Sequence, residues 1–106
     1  MFAFITHMRA RPGQREALIE LTGTMQAQTA GEDGVPIYAF HTAADSPDDF
    51  WFYDLYETEA AHEAHCATPA FQHMMKSFGE LAEMVQFTKL IPYGPVKSTP
   101  ASEPRT

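Results

Sequence analysis

Asparagine is absent from all 106 residues. N-glycosylation is excluded with it, as is any mechanism that needs an asparagine side chain. Cysteine occurs once, at Cys66. No intrachain disulfide can form, and the fold makes no demand on an oxidising compartment. Long hydrophobic runs are missing too, since none approaches the ~20 residues that span a membrane. Met1 to Gly13 lacks a basic segment followed by a long apolar one, so no secretory signal is expected there and a cytoplasmic location is. Bases are scarce: 7 Lys and Arg stand against 14 Asp and Glu, for a net charge of −7. Between Glu32 and Glu63 there are nine acids (Glu32, Asp33, Asp45, Asp48, Asp49, Asp54, Glu57, Glu59, Glu63) and no Lys or Arg. Such a surface repels a phosphate backbone, so nucleic acid is not an expected partner, and the acidic stretch reads as a solvated face. There is no GxGxxG, P-loop, CxxC or HExxH, so no cofactor and no metal is expected.

What is present is the pattern of one globular domain. Phe2 to Ala10 alternates as a strand and is broken by Pro12-Gly13. Gln14 to Thr29 reads as a helix whose apolar stripe is Leu18, Leu21 and Met25. Gly31 to Gly34 turns the chain, and Val35 to Thr42 is a second strand. Ala43 to Asp49 reads as a hairpin loop, and Phe50 to Glu57 as the strongest strand of all. Thr58 is placed as the N-cap of a helix reaching Cys66; Thr68-Pro69 starts another, with Phe71, Met74, Met75 and Phe78 as its stripe. Met84 to Ile91 is a fourth strand. The order β-α-β-β-α-α-β is that of an α+β, ferredoxin-like split βαβ arrangement with an antiparallel sheet. Residues 1–92 form the expected domain, and residues 93–106 a proline-rich tail.

Both alternating sets of the third strand are apolar: Phe50, Phe52 and Tyr56 on one side, Trp51, Tyr53 and Leu55 on the other. A sheet apolar on both faces needs two covers, and the helices supply one. A homodimer packed sheet against sheet supplies the other, with the tail expected to lie on the partner.

The candidates for chemistry are five histidines and one acid. His65 lies on a helix face with Ala61, turned toward the aromatic strands, and is either a general base or a hydrogen-bonded core residue. His62 is expected to face solvent, and His73 likewise. His62, His65 and Cys66 at i, i+3 and i+4 lack a third or fourth ligand at a recognisable spacing, which argues against zinc. His7 and His41 sit inside strands and suit an interface or an edge. Asp54, alone among apolar neighbours, needs a partner, for which Arg9 is a candidate, or else it orients and charges a pocket. Tyr38, Phe40, Trp51, Tyr53, Tyr56 and Phe71 are either core or the walls of an apolar cavity.

The stretches Arg9 to Gln14, Gly34 with Tyr38, and above all Tyr53-Asp-Leu-Tyr-Glu57 followed by His65-Cys-Ala-Thr-Pro-Ala-Phe71 resemble the antibiotic biosynthesis monooxygenase family. The pattern is most similar to its small quinol monooxygenase and autoinducer-2-processing members, over residues 2–92. The resemblance implies a dimeric α+β barrel, and cofactor-independent oxygenation of an electron-rich aromatic molecule, a quinol or polyphenol, by O2. It casts His65 as the base, with Asp54 beside it. Many members carry a second His after the Pro of this motif, where Ala70 stands here, and a Glu where Asp54 stands. Haem-degrading relatives use a first-strand Asn and helix-borne Trp and His; this chain has no Asn, and its one Trp is on a strand. Two other readings stay open: a metabolite-processing enzyme, isomerase-type or degrading, like the autoinducer-2-processing members, and a non-catalytic dimer that binds a small ligand.

Overall fold

The computed structural model describes residues 1–97 of the chain, and the expected placement of the tail on a partner falls largely on residues outside this range. The elements are β1 (Phe2–Ala10), α1 (Arg15–Thr29), β2 (Ile37–Ala43), β3 (Ser46–Tyr56), α2 (Glu59–Cys66), α3 (Pro69–Leu81) and β4 (Ala82–Leu90). They form one four-stranded sheet in the order β2-β3-β1-β4, every neighbouring pair antiparallel. This is the ferredoxin-like α+β arrangement. Strand ends differ from the sequence pattern by a residue or two, β2 starting at Ile37 and β4 at Ala82, and the hairpin differs most. The expected loop from Ala43 to Asp49 is mostly strand: Ala43 pairs with Ser46, which leaves a two-residue turn. Pro47 is tolerated because it lies at the exposed start of β3.

The strands alternate cleanly, and that decides where everything else sits. Phe2, Phe4, Thr6 and Met8 of β1 point to the helical side with Phe50, Phe52, Asp54 and Tyr56 of β3. Leu18 and Met25 of α1 and Met74 and Phe78 of α3 pack on this side to make the core with Met8, Phe50 and Phe52. Each fully buried side chain of this size stabilises the fold by roughly 1.5–3 kcal/mol before entropy is counted. On α1 the buried stripe runs Leu18, Thr22, Met25, Thr29, with Leu21 at its edge and only partly buried. The two threonines fit the core because each hydroxyl donates back to a carbonyl one turn earlier, Thr22 to Leu18 at 2.8 Å and Thr29 to Met25 at 2.7 Å.

The opposite face carries Ile5, His7, Trp51 and Tyr53, all half-buried, with Ala3 and Leu55 fully buried. His7 stacks on Trp51 with ring centroids 4.0 Å apart, and its Nε2 is 2.7 Å from Asp49 Oδ1. Among the described residues, no helix is long and apolar enough to cross a membrane.

Candidate functional site

α2 and α3 are joined by a corner that the sequence spells out. Thr58 caps α2 by accepting from the Ala61 N–H at 3.1 Å. Thr68 caps α3 by accepting from the Phe71 N–H at 3.2 Å, and its hydroxyl donates to the His65 carbonyl at 2.9 Å. Pro69 follows at the first helical position, where its missing N–H costs nothing. The corner therefore fixes the last turn of α2, and with it His62, His65 and Cys66.

Between this corner and the sheet lies a cavity of about 410 Å³. Its walls are Phe4, Tyr38, Phe40, Phe52, Tyr56, Phe71 and Phe78, with Met8 and Met74. Met75, Met84 and Phe87 line it too, and they are 48%, 51% and 57% exposed, which puts them at its mouth. Its polar groups are few: Thr6, Asp54, His62, His65, Cys66 and the tyrosine hydroxyls. Among the described residues no Arg or Lys lines it to anchor a phosphate-bearing ligand or cofactor. Among the described residues there is also no cluster of three His, Cys, Asp or Glu side chains placed to hold a metal ion.

His65 is only 2% exposed and is boxed by Tyr38, Tyr56 and Phe71, with ring centroids 5.2, 5.5 and 5.4 Å away. Its Nδ1 is 2.7 Å from Glu32 Oε1. A carboxylate only accepts hydrogen bonds, so in the neutral imidazole Nδ1 carries the proton and donates. Nε2 is left with its lone pair and no described protein partner, on a ring that lines the cavity. This is the tautomer a general base needs.

Glu32 was not legible as a site residue in the sequence. It sits in the turn after α1, where its N–H donates to the Thr29 carbonyl at 2.9 Å and its second oxygen accepts from Gln28 Nε2 at 3.2 Å. Gly34 brings this turn against α2. Its φ is +80°, and a Cβ there would stand 2.6 Å from the Ala61 Cβ. Only glycine meets both conditions. The signal was present as a glycine closing an acidic turn, but its partner lies 33 residues away.

Asp54 lies on the cavity side of β3, opposite Tyr38 in the register. The Tyr56 hydroxyl donates to its Oδ2 at 2.5 Å. Burial raises the Asp54 carboxyl above the ordinary carboxylate range, against the opposing pull of that hydrogen bond and of His65. Burial, and the nearness of Asp54, push the Tyr38 and Tyr56 hydroxyls upward, so both remain phenols that can donate.

Strand alternation corrects several sequence expectations. Trp51 and Tyr53 do not line the cavity; odd positions of β3 face the other side of the sheet. Arg9 does not pair with Asp54 for the same reason, and its Nε donates instead to Asp49 at 3.1 Å. His62 faces the cavity rather than solvent, packed on Tyr56 and Phe4 at 4.7 and 5.1 Å. His73 is exposed, and His41, also exposed, lies on the edge strand β2. The structure thus gathers Tyr38, Phe40, Asp54, Tyr56, His65 and Phe71 around one cavity and adds His62 and Cys66 to its wall, with Glu32 bonded to His65.

Comparison with known proteins agrees with this fold. The Rv0793 structure from Mycobacterium tuberculosis superposes with a TM-score of 0.80 at 26% identity, covering 91% of this chain and 98% of that one. PA3566 from Pseudomonas aeruginosa gives 0.80 at 24% identity, covering 88% and 94%. A Chloroflexus aurantiacus protein named for the antibiotic biosynthesis monooxygenases gives 0.76 at 24%, covering 91% and 96%. No curated protein matches the sequence. The sequence model described as antibiotic biosynthesis monooxygenase matches residues 1–77, and the chain belongs to that family.

Proposed function

We propose that this protein is a cofactor-independent monooxygenase that oxidises a quinol or polyphenolic small molecule with O2. One observation carries the reading: a buried histidine, held by Glu32 through Nδ1, has no partner for its other nitrogen among the described residues and lines an aromatic-walled cavity. His65 Nε2 accepts the proton of a substrate hydroxyl. The resulting anion is electron-rich enough to reduce O2, and a ring carbon takes up the oxygen. The adduct loses water and leaves a quinone. For a simple hydroquinone the sum is hydroquinone plus O2 to hydroxyquinone plus water, with no outside reductant. Tyr38, Phe40, Tyr56 and Phe71 hold the flat ring, and the dry walls keep bulk water from the anion. Asp54, with its raised carboxyl, and the Tyr56 hydroxyl offer the substrate's polar substituents a donor or an acceptor. Several half-buried apolar side chains on the outer sheet face, Ile5, Trp51 and Tyr53, support a homodimer packed sheet against sheet. The single cysteine is consistent with a cytoplasmic enzyme.

Oxygen uptake with a panel of hydroquinones and polyphenols tests the reading. Turnover of at least one of them is expected, falling ~10²–10⁴-fold in His65→Ala, the usual contribution of a positioned base. A folded protein that binds quinols but consumes no oxygen with any would overturn it in favour of a binding module. That no Arg or Lys among the described residues lines the cavity speaks against a phosphorylated metabolite as substrate.

A further inference from the structure

Two groups in the cavity have no part in the reaction just described, the Cys66 thiol and the His62 imidazole. They stand one turn apart on α2, and Cys66 Sγ lies 3.3 Å from His62 Nε2. Both line the aromatic cavity. His62 is held in place by Phe4 and Tyr56. Burial, and then His65, lower its basicity below that of an ordinary imidazole, so at neutral pH it is uncharged and free to accept a proton. Burial raises Cys66 above an ordinary thiol, with Asp54 and Glu32 adding to the effect. The resting pair is thus a neutral thiol beside a neutral imidazole, and in the tautomer with its proton on Nδ1 the imidazole accepts from the thiol through Nε2. A third group faces the same space: the His65 side chain is 1% exposed and bonded through Nδ1 to Glu32, and among the described residues no partner is found for its Nε2.

We infer that Cys66 and His62 form a covalent capture site for quinone electrophiles inside the aromatic cavity. The inference rests on the reading that the cavity handles quinols, because their oxidation products are quinones. The sulfur electron pair attacks a ring carbon and becomes the C–S bond. The S–H bond breaks as its proton passes to His62 Nε2, which returns it to a quinone oxygen. The ring C–H proton then shifts to the second oxygen. The quinone is reduced to a hydroquinone thioether, the thiol is the reductant, and nothing else is consumed. A product that leaves promptly escapes; one that stays in the cavity labels the enzyme.

The test uses the purified full chain with 1,4-naphthoquinone and, in parallel, N-methylmaleimide, without quinol substrate. Adducts are located by peptide mass mapping, and rates are normalised to glutathione. Naphthoquinone is expected to add at Cys66, with a preference over the maleimide at least ~10-fold above that of glutathione. His62→Gln should slow the addition ~10²-fold, as loss of a positioned base does. An unreactive ring of similar shape, 1,4-dimethoxynaphthalene, should protect Cys66, a check that needs no variant to fold. Addition in glutathione's own ratio, adducts confined to other side chains, or equal rates with and without His62 or the protecting ring would each overturn the site. Capture of added quinone without oxygen uptake on any quinol would sink the monooxygenase reading and leave the capture site standing.

Discussion

Glu32 Oε1 and His65 Nδ1 are 2.7 Å apart, and this contact sets which nitrogen of the buried histidine can act as a base. Glu32 touches no substrate in the proposed reaction; it is a positioning residue. Glu32→Gln can present its amide N–H to Nδ1, which would stabilise the tautomer with the proton on Nε2. A fall in kcat of ~10²-fold or more is expected, since holding a catalytic imidazole in the wrong tautomer can cost up to ~10⁴-fold. KM should change little, and Glu32→Asp should recover part of the loss. A merely structural role for Glu32 would lower the melting temperature and leave kcat and its pH profile as they were.

Gly34 permits that contact, and its replacement is expected to be costly. Gly34→Ala meets two penalties at once, a left-handed φ of +80° and a Cβ 2.6 Å from that of Ala61. A loss of about 1–3 kcal/mol is expected from such strain, read as a shift of the urea midpoint. Adding Ala61→Gly removes the clash and leaves the dihedral strain, so it should restore part of the loss. If Gly34→Ala alone were neutral, the turn would not be held against α2 as described.

The fold was legible almost throughout because its signals are local. Caps at Thr58 and Thr68, the Pro69 entry and the breaks at Pro12-Gly13 and Gly31–Gly34 mark boundaries in the sequence itself. The site was only half legible. His65, Asp54, Tyr38, Phe40, Tyr56 and Phe71 could be named from residue type and pattern. Strand β3 is apolar on both faces, so alternation alone does not say which set meets the helices, and Trp51 and Tyr53 belong to the set that faces away from the cavity. Glu32 was hidden because its role exists only once a turn and a helix far apart in sequence are brought together. His62 looked solvent-facing because α2 is short and its wall is completed by Phe4 from β1.

The outer face now gives a prediction that leaves the cavity alone. Trp51 is half-buried there, stacked on His7 and away from the cavity. Trp51→Glu places a charge on the surface proposed to meet a second copy, and light scattering at micromolar concentration should show a shift from dimer toward monomer. The stack on His7 is lost as well, so a partial loss of stability, about 0.5–1.5 kcal/mol for the aromatic pair, is expected beside it. A variant that stays as dimeric as the parent would place the dimer contact elsewhere.

Asp49 and Asp54 lie on opposite faces of β3, and their effects on stability run in opposite directions with pH. Hydrogen bonds from Ser46 and then His7, with the charge of Arg9, lower Asp49 from 3.8 to about 2. The unfolded chain therefore holds this proton more tightly, so stabilisation builds as pH rises from about 2 to 3.8 and is constant above. Asp54 is raised above 3.8, chiefly by burial, so here the folded chain holds the proton more tightly. Its cost appears as pH rises above 3.8 and is constant once the folded value is passed. Urea midpoints measured across the acid range should therefore diverge in opposite senses. Asp49→Asn should be less stable than the parent at neutral pH, with the gap closing as pH falls through 3.8 toward about 2. Asp54→Asn, whose amide oxygen can still accept from the Tyr56 hydroxyl, should gain on the parent as pH rises above 3.8. Parallel midpoint curves for the two variants would mean that strand alternation does not divide these carboxylates between a hydrogen-bonded outer cluster and a buried cavity wall.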